Sequence, residues 1–193
     1  MTLKQKTSRM ELILITLVLI VSAACSVLKP AFNGETFEPL SAAPEINMTD
    51  HGGNPFQLSG LQGRIVLLFF GFTNCVDECP TTLAHIKLAL GKLGDQAGEV
   101  QVVLISTDPI RDTPQALQDF LGKFDPSYLG ITGTLDEMET IWQDYGVEVL
   151  DGGETHSSFV YVVDQQGSLR LKMDAEIDPE DMASDLKILL ASE

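Results

Sequence analysis

Basic residues are scarce in this chain, which has 12 Lys and Arg against 28 Asp and Glu and a formal net charge of −16. Such a surface offers phosphates no basic stripe, so we exclude nucleic acid as a partner. The same deficit argues against electrostatic adhesion to anionic lipid. An acidic surface is typical of soluble proteins, and it also attracts metal cations or a basic partner. Internal repeats and low-complexity tracts are absent from the sequence.

Long apolar runs are missing as well. The stretch from Leu12 to Val21 is shorter than the roughly 20 residues that a spanning helix needs. Three basic residues precede it and the small residues 22–24 follow it, which is the layout of a secretory signal. Because Cys25 comes next, the segment resembles a bacterial lipoprotein signal, although Ser22 stands where leucine is usual. We expect Cys25 to be lipidated at the outer face of the cytoplasmic membrane; an uncleaved N-terminal helix and plain cleavage near Ala24 stay open.

The sequence therefore predicts three parts: an anchor at residues 1–25, a linker at 26–43 that is rich in Pro, Gly, Ser and Ala, and a domain at 44–193.

If Cys25 belongs to the anchor, the domain holds one pair of cysteines, Cys75 and Cys79. A disulfide that closes only three intervening residues would constrain the unfolded chain very little. We therefore expect the pair to serve reactivity, with an inert disulfide as the alternative.

Hydrophobic patterning predicts an α/β domain. Ile65–Phe70 is a continuous apolar run and Val100–Ser106 is largely apolar, and both are typical of buried strands. Helices are predicted from Pro80 to about Leu93, from Pro114 to about Phe124, over Leu135–Tyr145 and over Pro179–Leu190, and further strands over Tyr128–Thr132, Ser158–Val163 and Leu169–Met173. The alternating order predicts a central mixed sheet flanked by helices, with an N-terminal extension. This is the outline of a thioredoxin-like fold.

The segment GFTNCVDECP at positions 71–80 carries the cysteine pair from a strand into a helix. A helix N-terminus favours thiolate over thiol, and thiolates exchange disulfides and bind soft metals such as Cu(I). Side chains four residues apart on a helix lie about 5–6 Å apart at Cβ, whereas a disulfide needs about 3.5–4.5 Å. The spacing therefore favours a metal without excluding thiol chemistry.

His156 precedes the predicted strand Ser158–Val163, at the place where thioredoxin-like oxidoreductases carry a cis-proline facing their cysteines. The sequence has no proline between Pro126 and Pro179, so we expect the His156 imidazole to face Cys75 and Cys79 instead. Two thiolates and one imidazole suit Cu(I), and Cu(II) with a further ligand. A structural zinc site needs four protein ligands, and His51 and His85 are poorly placed to supply the fourth.

Three separated motifs resemble the Sco/SenC family: FFGFTNC followed by CPTTL at positions 69–83, STDP followed by RDTP at 106–114, and His156-Ser157 before a strand. The resemblance extends from about residue 35 to the C-terminus. Asn74 and Val76 replace the histidine and proline that the family often has beside its first cysteine, which leaves the rigidity of this loop and the redox potential of the pair open.

The resemblance implies a membrane-tethered, thioredoxin-like copper chaperone. It would bind one copper ion per domain, as Cu(I) or Cu(II), through Cys75, Cys79 and His156. Its partner would be subunit II of cytochrome c oxidase, whose dinuclear copper centre it helps to metallate, or another copper protein, together with a thiol reductant. The alternative is an enzyme, a thiol-disulfide reductase or thiol peroxidase, in which Cys75 and Cys79 are the redox-active pair.

Overall fold

The structure is a computed structural model that describes residues 31–150 and 155–192. The strands are β1 Glu35–Ala42, β2 Asn47–Thr49, β3 Pro55–Gln57, β4 Ile65–Gly71, β5 Val100–Ser106, β6 Leu129–Ile131, β7 Val149–Leu150, β8 Thr155–His156, β9 Phe159–Val163 and β10 Ser168–Asp174. The helices are α1 Glu78–Gly91, α2 Pro114–Leu121, α3 Leu135–Tyr145 and α4 Pro179–Leu190. Short 3-10 turns cover Leu58–Leu61 and Gly94–Glu99.

Six of these strands form a mixed sheet in the order β1-β10-β9-β4-β5-β6. β4, β5 and β6 run parallel, while β9 lies antiparallel to β4 and forms a hairpin with β10. Every residue of β4 and β5 is buried, as expected for central strands whose two faces are both covered. The structure confirms the predicted central mixed sheet, and the carboxyl ends of β4, β5 and β6 share one edge with the start of β9.

The side chains of β4 alternate between two hydrophobic layers. Ile65, Leu67 and Phe69 face a core built with α1, α2 and α4. Leu68 and Phe70, on the other face, pack with α3 and with the residues that precede β4. The period of two along an extended strand produces this division, and it confirms that helices flank both faces of the sheet.

Helix starts follow the local sequence closely. Thr134 and Glu137 form a capping box that begins α3 at Leu135, and Asp178 accepts the Glu180 N–H at the start of α4. Both helices have the predicted bounds. At α2 the Thr113 hydroxyl accepts the Ala116 N–H at 3.2 Å. Thr113 is therefore the N-cap of α2.

The N-terminal part of the domain differs from its prediction. Residues 26–43 are predicted as a linker, whereas Glu35–Ala42 form β1, which pairs antiparallel with β10 at the sheet edge through an irregular register. Its side chains are almost all exposed, so the sequence lacks the apolar pattern by which buried strands are recognised. Asp185, fully buried on α4, accepts the N–H groups of Asn33 and Gly34 at 2.9–3.0 Å and holds the chain just before β1.

Candidate metal-binding site

The site begins at Gly71, the last residue of β4. A Cβ atom placed on Gly71 would lie 3.0 Å from the Sγ of Cys79 and 3.0 Å from the Phe69 ring. Real Cβ atoms very rarely approach neighbours so closely. The missing side chain therefore lets the Cys79 sulfur pack directly against the end of the strand, which is a close backbone approach of the kind that requires glycine.

Cys75 and Cys79 lie in different environments. Cys79 is completely buried in the first turn of α1, which begins at Glu78, two residues before the predicted start at Pro80. Cys75 is partly exposed in the preceding loop, and its Sγ accepts the Cys79 N–H at 3.2 Å. This N–H is one of the unpaired donors of a helix N-terminus, so the Cys75 sulfur caps the helix. Both cysteines are free thiols.

Burial raises the pKa of the Cys79 thiol far above its usual range, and the hydrogen bond and nearby charge of Cys75 raise it further. A hydrogen bond from the Phe72 backbone acts in the opposite direction. A helix N-terminus favours thiolate over thiol, but at Cys79 desolvation by burial outweighs that effect. In the metal-free protein Cys79 is a protonated thiol at neutral pH, and Cys75 is the accessible sulfur.

His156 lies at the same sheet edge, in β8, which precedes β9 and pairs with β7. Its ring meets the Phe72 ring edge-on, with centroids 5.9 Å apart. The His156 Nδ1 lies 3.2 Å from the carbonyl oxygen of Ser157, a contact that a protonated Nδ1 makes by donating. In that tautomer the Nε2 lone pair is open to a metal, as in histidines whose other nitrogen bonds a backbone carbonyl.

The three predicted ligands are brought to one edge but do not yet form a closed metal cage. Among residues 31–150 and 155–192, no three Cys, His, Asp or Glu side chains are grouped so that they could hold a metal ion. Phe72 contacts both the cysteine loop and His156. Its ring meets the His156 ring, and its carbonyl oxygen accepts the Cys75 N–H at 3.4 Å. Two sulfurs and one imidazole nitrogen are donor types that suit copper.

A buried carboxylate whose role no local sequence pattern reveals organises this loop. Asp112 is fully buried. Its Oδ1 accepts the Thr73 N–H at 3.0 Å and the Thr73 hydroxyl at 2.6 Å, and its Oδ2 accepts the Ser106 hydroxyl at 2.7 Å. Burial raises the pKa of Asp112, while these hydrogen bonds lower it. The RDTP motif contains Asp112, but the sequence alone does not show that it reaches Thr73.

Phe72 is also held from the side of β5. The Arg111 guanidinium lies 6.0 Å from the centre of the Phe72 ring and forms an ion pair with the buried Asp108. Cation–π contacts at this distance are attractive. The loop after β4 therefore packs directly against the loop after β5.

The other two histidines lie apart from this site. His51 Nδ1 accepts the Gly130 N–H at 2.9 Å, which ties the hairpin turn between β2 and β3 to β6. His85 lies on α1, and its Nδ1 is buried without a hydrogen-bond partner among the described residues. Among the described residues, neither histidine is grouped with Cys75 and Cys79.

Comparison with known proteins gives a consistent result. Residues 36–191 match the SCO1/SenC family model. A protein of Stutzerimonas stutzeri, described as copper-binding, is 36% identical over 67% of this chain and 67% of its own length. Mitochondrial SCO2 of Saccharomyces cerevisiae is 32% identical over 72% of this chain, and the match spans only half of that relative.

Solved structures agree with these matches. ScoI of Bradyrhizobium japonicum with copper bound is 32% identical, covers 77% of this chain and 99% of its own, and superposes with a TM-score of 0.70. A SCO1/SenC family lipoprotein of Bacillus anthracis is 27% identical, covers 83% of this chain and 99% of its own, and has a TM-score of 0.69. These likenesses confirm the predicted thioredoxin-like fold.

The predicted lipidation site, Cys25, and the signal segment lie outside the described residues. Within the part of the chain that the structure describes, no helix is both long and apolar enough to span a membrane.

Proposed function

The chain belongs to the SCO1/SenC family, and on that premise we propose that it is a copper chaperone that helps to metallate the dinuclear copper centre of cytochrome c oxidase subunit II. Copper is the cargo, held by Cys75, Cys79 and His156 and passed on by ligand exchange. The copper-bound Bradyrhizobium relative supports this proposal. The observation that carries it is His156, whose open Nε2 has no use in a simple dithiol exchanger.

The environments of the two cysteines suit stepwise exchange of copper. A soft thiolate pair favours Cu(I), and binding at Cys79 must release the proton that burial keeps on its sulfur. Cys75, partly exposed, is the ligand that an incoming partner can reach first. Release to the partner returns a proton to Cys79 and restores its buried, neutral state, which favours transfer over permanent retention.

We further propose that the domain is tethered to the outer face of the cytoplasmic membrane through lipidated Cys25. The signal layout at residues 1–25 and the lipoprotein of Bacillus anthracis in the same family support this location. Tethering confines the chaperone to the membrane that holds cytochrome c oxidase, and so raises its effective concentration there.

A thiol-disulfide reductase is the second candidate, favoured by the asymmetry between the exposed Cys75 and the buried Cys79. The Cys75 thiolate would attack a partner disulfide and release one partner thiolate. Cys79, losing its proton, would then attack the mixed disulfide, free the second partner thiol and leave a Cys75–Cys79 disulfide. A thiol reductant must supply two electrons and two protons to reset the pair.

A deletion strain separates these two functions. Under copper limitation it should lose oxidase activity, and added copper should restore it at least partly, because excess metal substitutes for a chaperone by mass action. A reductase defect should instead respond to an added thiol reductant. Complementation with His156→Ala is decisive, with His85→Ala as the matched control. Full rescue by His156→Ala at low copper would overturn copper delivery in favour of the reductase.

A further inference from the structure

Two of the most exposed large apolar side chains among the described residues lie on the loops that follow β4 and β5, at the edge of the sheet where the accessible cysteine lies. Val76, which follows Cys75 directly, is 95% exposed, and Ile110, in the loop after β5, is 78% exposed. Single exposed aliphatic residues are ordinary on protein surfaces. Two at the reactive edge of the sheet, on neighbouring loops, need a further explanation.

The loops that carry Val76 and Ile110 are fixed to each other. Asp112, two residues after Ile110, accepts two hydrogen bonds from Thr73, three residues before Val76. Arg111 lies over the Phe72 ring. These contacts join the two loops that carry Val76 and Ile110, so part of the order that a partner needs at this surface is already present before binding.

Acidic side chains follow Val76 in sequence and also lie near His156 at the same edge of the sheet. Asp77 and Glu78 follow Val76 and are exposed. Glu148, also exposed, is linked by its backbone N–H and carbonyl to Ser157, the residue after His156. With a net charge of −16 on the whole chain, the surface around Cys75 attracts positive charge and repels acidic proteins.

We propose that Val76 and Ile110 form the apolar centre of a docking surface, met by a protein that presents an apolar segment bordered by Lys or Arg side chains. This rests on the proposed function, since the partner is the protein that exchanges copper or disulfide with Cys75. Exchange brings a partner atom within bonding distance of the Cys75 sulfur. The partner must then cover the adjacent Val76, and burial of exposed apolar surface at the centre of a contact supplies affinity.

Association with purified cytochrome c oxidase subunit II of the same organism tests the apolar centre. Full-length protein in a non-ionic detergent, with its thiols reduced, is titrated by calorimetry. We expect the Val76→Ser/Ile110→Ser double variant to raise Kd about tenfold. The matched control is Leu40→Ser/Leu88→Ser, because these two leucines are also exposed but lie on β1 and α1; its Kd should equal that of the parent.

A second pair of double variants tests the acidic side chains that follow Val76. Asp77→Asn/Glu78→Gln should weaken association at low salt and flatten its dependence on ionic strength. Asp95→Asn/Glu99→Gln removes the same charge from the 3-10 turn that precedes β5, at the opposite edge of the sheet. This control should keep the salt dependence of the parent, because the effect is local.

The outcomes for docking and for copper delivery are separate. If the serine double variant binds subunit II as tightly as the parent, or if the parent shows no association at low salt, the docking surface is overturned. Copper transfer from the loaded parent, followed spectroscopically, tests the proposed function independently. Association that depends on Val76 and Ile110 without transfer would keep the surface and reject copper delivery.

Discussion

Asp112 holds Thr73 with two hydrogen bonds to one carboxylate oxygen, from the backbone N–H at 3.0 Å and from the hydroxyl at 2.6 Å. Thr73 lies two residues before Cys75, while Asp112 lies 39 residues further along the chain than Thr73. The relationship fixes the cysteine loop to the end of β5. It makes Asp112 a positioning residue for Cys75 that does not itself touch the sulfur.

We expect Asp112→Ala to lower the free energy of unfolding by about 2–3 kcal/mol, since it leaves the buried hydroxyl of Ser106 and the partly buried donors of Thr73 without this acceptor. Thr73→Val keeps the shape and the backbone bond but loses the hydroxyl, and should lower it by about 1 kcal/mol. Urea unfolding measures both. In a double-mutant cycle the two effects should be less than additive; strict additivity would show that the bond seen between them contributes nothing.

The positioning role of Asp112 can be measured separately from its contribution to stability. If Asp112 sets the geometry of the cysteine pair, Asp112→Ala should shift the midpoint potential of the Cys75–Cys79 couple, measured in glutathione redox buffers. Asp119→Ala is the control, because Asp119 is exposed and bonds only Gln115 among the described side chains. A potential equal to that of the parent in Asp112→Ala would leave Asp112 with a stabilising role alone.

Gly71→Ala tests the contact between the strand end and Cys79. The new methyl would lie 3.0 Å from the Cys79 Sγ and from the Phe69 ring, so the neighbours must shift in a closely packed core. We expect the free energy of unfolding to fall by about 1–3 kcal/mol. Gly91→Ala is the control, because nothing lies within 4 Å of its added Cβ. At the end of α1 that change should be neutral or slightly stabilising; equal losses in both variants would contradict the close approach.

The fold could be predicted from the sequence where one local pattern decides the structure. α3 and α4 have their predicted bounds because cap and apolar periodicity agree, and β5 is predicted by its largely apolar run. β1 could not be predicted, since its pairing with β10 depends on backbone groups at an edge and its side chains are exposed.

The same distinction applies to the site. The cysteine pair and His156 stand out by residue type and by their place beside predicted strands. Asp112 does not, because its role depends on a hydrogen bond across 39 residues that no local pattern encodes. The raised pKa of Cys79 could not be predicted from the sequence either, because it depends on tertiary burial. The sequence indicates only that Cys79 lies near a helix N-terminus.

The thiols should react at different rates. Burial raises the pKa of Cys79, so at neutral pH almost none of it is thiolate, the reactive form. Limited treatment of the reduced protein with iodoacetamide should therefore modify the partly exposed Cys75 first, while the buried Cys79 stays protected. Peptide mapping by mass spectrometry identifies the modified residue. Equal modification of both cysteines in the native state would contradict the buried position of Cys79.

The anchor proposal predicts a defined mature N-terminus. The protein should fractionate with membranes and begin at a lipidated Cys25, because cleavage after Ala24 exposes that cysteine. Intact mass spectrometry of the membrane fraction measures this directly. In Cys25→Ala the mature domain should leave the membrane fraction. An N-terminus that still carries Lys4 would instead show an uncleaved helix and remove the role of Cys25.

Copper titration tests His156 most directly. The reduced protein should bind one copper ion, and oxidation of Cys75 and Cys79 to a disulfide should abolish tight binding because no thiolate remains. His156→Ala should still form the disulfide but bind Cu(II) most weakly relative to the parent, since imidazole nitrogen suits Cu(II) while the thiolates retain much of the Cu(I) affinity. His51→Ala, which removes an imidazole bonded to Gly130, is the control and should bind both oxidation states like the parent. If His156→Ala also bound both like the parent, His156 would not be a ligand, and the dithiol alone would have to account for copper binding.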